Sequence, residues 1–370
     1  MTKTMGQLDK NKEKIFYIAL FMAFISHCSL FFGGAMGVNE DNFSFYREEL
    51  IKAELGRWFA DVLRDLGIVS SYRVPAWAGI FVILALAATC MIVLSIIKIR
   101  SKAGIYLTIA ILVTFPTLAY SNGYLYDSAL YSLSLLFAAM AVWITNKWKY
   151  GCFGGAVCLM LSLALYQAWL AFAVTLVIVY ILIRMKEEDI AKENIIAMII
   201  KNAGMGALGT VLYLLSVKIY NVIFHVTLSS YKGLDAMGNI QLSELPGRIS
   251  NCYQAFLDFV RGNYYAMPKM IIWLNYLVLA IIFLLSSYYF VVEIKRKNFL
   301  KAFLFAGFTV ILPIGMCFME IAYKTDTLSV YANCMIYILL IKYCDIRNED
   351  AKSVVIRGGG IKRPFASASI

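Results

Sequence analysis

Charge is scarce in this chain. Of its 370 residues only 15% are Asp, Glu, Lys or Arg, where a soluble protein carries about a quarter. With 61% hydrophobic residues and a mean hydropathy of +0.73, that shortage excludes an ordinary water-soluble domain. Histidine is nearly absent: His27 and His225 are the only two. They are too isolated in sequence to suggest a metal site, and each reads as a packed or interfacial side chain. Cysteine gives no framework either. The eight cysteines (28, 90, 152, 158, 252, 317, 334 and 344) mostly fall inside apolar runs, with only Cys252 in a long loop, so neither a disulfide scaffold nor a zinc site is written into the spacing. The chain has no P-loop, no GxGxxG and no nucleophile elbow in a strand–turn–helix setting, which argues against ATP-driven transport. It has no internal repeat, so the inverted symmetry of many secondary transporters finds no support.

Long apolar runs are plentiful. Runs near the ~20 residues needed to cross a bilayer fall at 15–35, 76–97, 103–120, 124–144, 150–166, 168–184, 202–223, 270–292, 299–319 and 327–343. The fold class expected is therefore an all-α polytopic membrane bundle of about ten transmembrane helices. The fifth and sixth runs are continuous except at Tyr166-Gln167-Ala168-Trp169, which reads as a tight turn between two short spans. The amino-terminal lysines precede a run that is retained as the first span, with no convincing cleavage site after it.

The net charge of +11 would point to nucleic acid in a soluble chain. Here it partitions by loop. The N-terminus, 98–102, 147–149, 184–192, 295–301 and the tail are basic, and the connections between them are poorly basic. That alternation puts both termini in the cytoplasm and the long loops 37–74 and 225–269 outside, with no nucleic-acid partner. The transmembrane domain is read as 1–345, followed by a disordered cytoplasmic tail at 346–370.

The first outer loop organises the rest. It opens with Asn39-Glu40-Asp41-Asn42 and continues as helix-like sequence through Gly56-Arg57-Trp58. From Leu55 the apolar residues Leu55, Trp58, Phe59, Val62, Leu63 and Leu66 recur at helical spacing, with Arg57, Asp61, Arg64 and Asp65 on the other face. That is the pattern of an amphipathic interfacial helix. The second outer loop carries turn signals near 231–235 and 246–247 and helix-compatible sequence at 249–261.

Several side chains in these loops can carry chemistry, each with a plainer alternative. Glu40 and Asp41 can act as a general base, hold a divalent cation, or simply be solvated. Arg57 beside Trp58 can grip a phosphate with its planar fork or snorkel to anchor its helix. Asp127, flanked by Asn122, Tyr124 and Tyr131 at the outer start of a span, is a functional candidate by its depth and equally a helix cap. Tyr166, Gln167 and Trp169 can stack on a sugar or serve as interface aromatics. Lys324, in a small charge cluster with Glu320 and Asp326, can hold a phosphate.

The acid pair, the downstream Gly56-Arg57-Trp58, the Phe115-Pro116 span leading into Ser121-Asn122-Gly123-Tyr124, and Tyr166-Gln167-Ala168-Trp169 together resemble the bacterial Gtr-type glucosyltransferase-domain family. That family belongs to the GT-C superfamily of multi-span glycosyltransferases, and the resemblance covers roughly 10–345. It implies a GT-C-like bundle in the bacterial inner membrane. The implied partners are a polyprenyl-phosphate-linked sugar donor, membrane lipid and a cell-surface glycan acceptor such as O-antigen, together with a donor-making glycosyltransferase and a flippase. The family's catalytic acid maps to Asp41 with Glu40 beside it. The pair is usually Asp-Asp, so which of the two is the base stays open. The resemblance further implies direct, inverting displacement with Arg57, Lys324 or Arg248 facing the phosphate, and no nucleotide cofactor. The rival readings are another surface-polysaccharide polymerase or ligase, and a lipid-linked glycan flippase.

Overall fold

The computed structural model describes residues 6–33, 51–66, 75–187, 192–229, 241–265, 267–322 and 327–358. Among them every regular element is helical. Eight helices are long and apolar enough to cross a membrane. Two of the ten expected spans are not among them. Gly151–Leu165 is apolar but only 15 residues long. The last helix, Cys334–Gly358, is apolar only in its first half. It also runs past Asp345, as far as Gly358. The segment Arg347–Lys352 contains good helix formers and no proline or glycine, so the helix has no reason to stop there.

In chain order, the helices are α1 (Gly6–Phe32), α2 (Ile51–Glu54), α3 (Trp58–Asp65), α4 (Pro75–Ile97), α5 (Lys102–Thr114), α6 (Pro116–Asn122), α7 (Leu125–Lys147) and α8 (Gly151–Leu165). Then come α9 (Leu170–Glu187), α10 (Lys192–Phe224), α11 (Leu245–Val260), α12 (Lys269–Lys295), α13 (Phe299–Met316), α14 (Met319–Ala322) and α15 (Cys334–Gly358). Helices α4, α7 and α9 are buried along most of their length, whereas α1, α10, α12 and α13 bury a third of theirs or less. The exposed side chains are large and apolar, among them Phe21, Ile219, Trp273 and Phe303, as a lipid-facing surface requires. Small residues let the inner helices close up. A Cβ on Gly155 of α8 would lie 2.6 Å from the Ala141 carbonyl of α7, a backbone approach that only glycine permits.

Proline shapes the third span. Phe115 has ψ 134°, the extended conformation forced on a residue before proline, and the span divides there into α5 and α6. Pro116 has no N–H to offer the Leu112 carbonyl, and the break withdraws the partner of Val113. The Tyr331 hydroxyl donates to Leu112 O at 2.8 Å, and His27 Nε2 donates to Val113 O at 2.9 Å. Free carbonyls inside a membrane bundle need such partners. His27 is thus a packed histidine with a defined duty.

At the lysine-rich end of the bundle, α15 is tied to the α4–α5 turn. Asp345 accepts the Arg100 and Ser101 backbone N–H groups at 2.9 and 3.0 Å, and Lys342 Nζ donates to Lys98 O at 2.7 Å. Burial pushes the Asp345 carboxyl up, but those N–H groups, the Ser101 hydroxyl and Lys342 outweigh it and hold it below the ordinary carboxylate range.

Candidate active site

The opposite end of the bundle collects the residues singled out in the sequence. Helices α2 and α3 are not one continuous amphipathic helix. Between them the chain turns back through Leu55–Arg57, with Gly56 in the left-handed region at φ +72°. Gly56 N–H donates to Ala53 O and Arg57 N–H to Lys52 O, both at 2.8 Å. Asp61 is also placed differently from the expected outward face. It is fully buried, accepts the Ala53 N–H at 2.7 Å and pairs with Arg64 at 2.8 Å. Helix α2 is too short to satisfy its own N–H groups, and the Asp61 carboxylate does so from the next helix. Burial raises the Asp61 carboxyl above its usual value even though Arg64 and the Ala53 N–H pull it down.

This elbow is clamped from three sides. The Tyr213 hydroxyl of α10 donates to Gly56 O at 3.2 Å, and Gln167 Nε2 donates to Leu55 O and to the Tyr213 oxygen, both at 2.9 Å. Trp58 docks α3 onto α10. Its indole N–H donates to Ser216 Oγ at 3.0 Å, and its ring stacks on Tyr220 with centroids 5.9 Å apart. Helix α10 can serve as this post because its 33 residues reach about 50 Å, well beyond a hydrocarbon core of about 30 Å.

Arg57 emerges from the elbow over an aromatic platform. Its guanidinium lies 4.7 Å from the centroid of the Tyr166 ring and 6.0 Å from that of Tyr131, and its Nε donates to Gln167 Oε1 at 3.3 Å. The platform is deep. Tyr131 and Tyr166 have centroids 4.2 Å apart, and Tyr166, Trp169 and Tyr331 continue inward as edge-to-face pairs. The expected tight turn is a 3-10 turn over Gln167–Trp169, and it is what sets Tyr166 and Gln167 beneath Arg57. Tyr131 OH donates to Asp127 Oδ2 at 3.2 Å, and Lys52 Nζ pairs with the same oxygen at 2.7 Å. Arg57, Tyr131, Tyr166, Gln167, Trp169 and Asp127 therefore form one connected cluster, with Trp58 as its fastener to α10.

Other expected residues lie apart from it. Asn122 is buried in the bundle and donates from Nδ2 to His27 Nδ1 at 3.3 Å, completing the repair of the Pro116 break. Tyr124 occupies the position before α7 without a side-chain cap bond and meets Tyr120 edge to face. Arg248 belongs to the second loop. It pairs with Glu244 at 2.9 Å and donates to the Ile321 and Ala322 carbonyls of α14, and none of these contacts joins it to Arg57. Glu40, Asp41 and Lys324 lie outside the described residues. Among the described residues, no group of three or more His, Cys, Asp or Glu could hold a metal ion.

Sequence reasoning missed Lys52, Tyr213, Ser216 and Tyr220. Lys52 and Asp127 are 75 residues apart, and no periodicity links them. The one available signal for Tyr213, Ser216 and Tyr220 was their hydroxyls, recurring at three- and four-residue spacing along one face of an otherwise apolar helix.

A planar cation held over aromatic faces beside an amide and a buried carboxylate can bind a phosphate and the hydroxyls next to it. No curated protein and no solved structure matches the chain. The family model described as glucosyl transferase GtrII matches residues 30–341, a stretch that includes the elbow, the platform and the acid pair. The chain belongs to the glucosyl transferase GtrII family and is a glycosyltransferase with a multi-helix, membrane-type architecture.

Proposed function

We propose that this protein transfers a glucosyl unit from a polyprenyl-phosphate donor to a cell-surface glycan on the outer face of the bacterial inner membrane. The observation that carries the reading is the Arg57 node, an arginine seated on Tyr166 and Tyr131 and steadied by Gln167. The positive-inside pattern supports an outward-facing site at this end of the bundle and cytoplasmic termini. No nucleotide is required there, which fits a lipid-linked donor supplied by a donor-making glycosyltransferase and a flippase.

In the reaction the acceptor hydroxyl attacks the anomeric carbon. The new oxygen–carbon bond forms as the bond from that carbon to the phosphate oxygen breaks, and the phosphate leaves on its lipid. Arg57 offsets the charge that grows on the phosphate. Asp41 takes the hydroxyl proton, with Glu40 beside it as the alternative base. A pair of acids can also hold a divalent cation at that position. Direct displacement of this kind inverts the anomeric centre.

The test is transfer of radiolabelled glucose from polyprenyl-phosphate glucose in membrane vesicles, comparing wild type with Asp41→Asn and Glu40→Gln at equal expression. Label reaching a surface polymer in wild type and lost in Asp41→Asn supports the reading and its base. Loss in Glu40→Gln alone moves the base to Glu40. Intact lipid-linked sugar crossing the bilayer with no transfer replaces the reading with a flippase.

A further inference from the structure

Asp127 holds an oxygen that the fold leaves unused. The residue is 8% exposed. Its Oδ2 takes both of its partners, Lys52 Nζ at 2.7 Å and Tyr131 OH at 3.2 Å. Its Oδ1 is buried and has no hydrogen-bond partner. Leaving a buried carboxylate oxygen without a donor forfeits its hydration with nothing in return, and folded proteins rarely leave one so. Helix capping does not account for it. The residue at the cap position of α7 is Tyr124, with no side-chain cap bond, and the Tyr124 N–H donates to Ser121 O.

The position of Oδ1 indicates its ligand. Lys52 and Tyr131 pin the other oxygen, so the carboxylate is fixed in orientation. Tyr131 stands between Asp127 and Arg57, bonded to the first and 6.0 Å by ring centroid from the guanidinium of the second. A group bound next to a phosphate held by Arg57 would lie within one side chain of Asp127. In a glycosyl phosphate that group is the sugar, and a fixed carboxylate oxygen suits a sugar hydroxyl as a charge-assisted acceptor.

We propose that Asp127 is a specificity-determining residue whose Oδ1 accepts a hydrogen bond from one hydroxyl of the donor's glucosyl unit. This rests on the reading of the Arg57 node as the donor-phosphate site. Lys52 and Tyr131 are positioning residues that aim the carboxylate.

The experiment uses the full-length protein in proteoliposomes with polyprenyl-phosphate glucose and its 2-, 3-, 4- and 6-deoxy counterparts. It measures kcat/KM for wild type, Asp127→Asn, Lys52→Met and Arg57→Ala. Wild type should discriminate against one deoxy donor by about 10- to 100-fold, the range of a hydrogen bond to a charged group. Asp127→Asn, whose amide presents a donor where Oδ1 accepted, should discriminate against that same donor by no more than about twofold and treat the other three as wild type does. Lys52→Met keeps the carboxylate and should weaken the same preference several-fold, so it serves if Asp127→Asn does not fold. Equal discrimination by wild type and variants overturns the proposal, as does a wild type indifferent to all four deletions. A change confined to acceptor KM, with donor hydrolysis untouched, moves the hydroxyl to the acceptor and also overturns it. Arg57→Ala separates the two levels. If it impairs every donor alike while Asp127→Asn shows no selectivity change, this assignment alone fails. If it impairs none, the donor-site reading fails beneath it.

Discussion

Replacing Gly56 by alanine probes the elbow on which the site depends. Gly56 has φ +72°, and a Cβ there would meet the Tyr213 hydroxyl at 2.7 Å and Gln167 Nε2 at 3.2 Å. The left-handed conformation costs a non-glycine residue about 1–2 kcal/mol. Relieving the contact displaces Tyr213 or Gln167, whose bonds to the Gly56 and Leu55 carbonyls are each worth about 0.5–1.5 kcal/mol. The expected loss is about 2–4 kcal/mol, read as a lower thermal midpoint of the detergent-solubilised protein. Glucosyl transfer should fall by at least about tenfold, because displacing Arg57 by about 1 Å is enough to cost that much. Tyr213→Phe in the same chain removes the clashing hydroxyl but not the backbone strain, so the double variant should recover about 1 kcal/mol relative to the sum of the singles. Gly247→Ala in α11 is the control: nothing lies within 4 Å of its Cβ position, and the substitution should be neutral or stabilising by up to about 1 kcal/mol. If Gly56→Ala matched wild type in both stability and transfer, the elbow would not position Arg57.

Two further outcomes follow from the polar contacts at the bundle's ends. Asp345→Asn should destabilise the protein by about 1–3 kcal/mol at neutral pH. Because the folded carboxyl lies below its ordinary value, wild type should keep that advantage above about pH 4 and lose it as pH falls through the folded value, where both proteins are uncharged at this position. Paired thermal melts across pH 3–7 read the convergence, and an acid-independent gap would refute it. His27→Leu leaves the Val113 carbonyl and Asn122 without their buried partner, and should cost about 1–2 kcal/mol by the same melts. An unchanged midpoint would mean that the third span repairs its break by another route.

The helical architecture was legible because apolar runs and basic loops obey simple transfer energetics. The turn at Tyr166 was legible from the residues that interrupt a continuous apolar run, whereas the break at Pro116 falls inside what was expected as one span, 103–120. Span count was less so. Gly151–Leu165 is apolar by composition, but its length is set by where Tyr166 leaves the helix. Asp61 was misplaced because an amphipathic pattern assigns faces within one helix, whereas this carboxylate bonds the backbone of the preceding one. The clustering of Arg57 with Tyr166 and Gln167 was visible only as separate motifs, 110 residues apart for the Arg57–Gln167 bond. Lys52 could not have been chosen from sequence, because nothing local distinguishes it from a solvated lysine.

Arg57 as the donor-phosphate site is tested most directly by the affinity of the purified protein for polyprenyl-phosphate glucose. Arg57→Ala should weaken binding by about 10- to 100-fold, the range of a charge-assisted bond to phosphate. Arg261→Ala, an exposed arginine at the end of α11, should bind as wild type does. Equal affinity of Arg57→Ala and wild type would mean that the donor phosphate is held elsewhere.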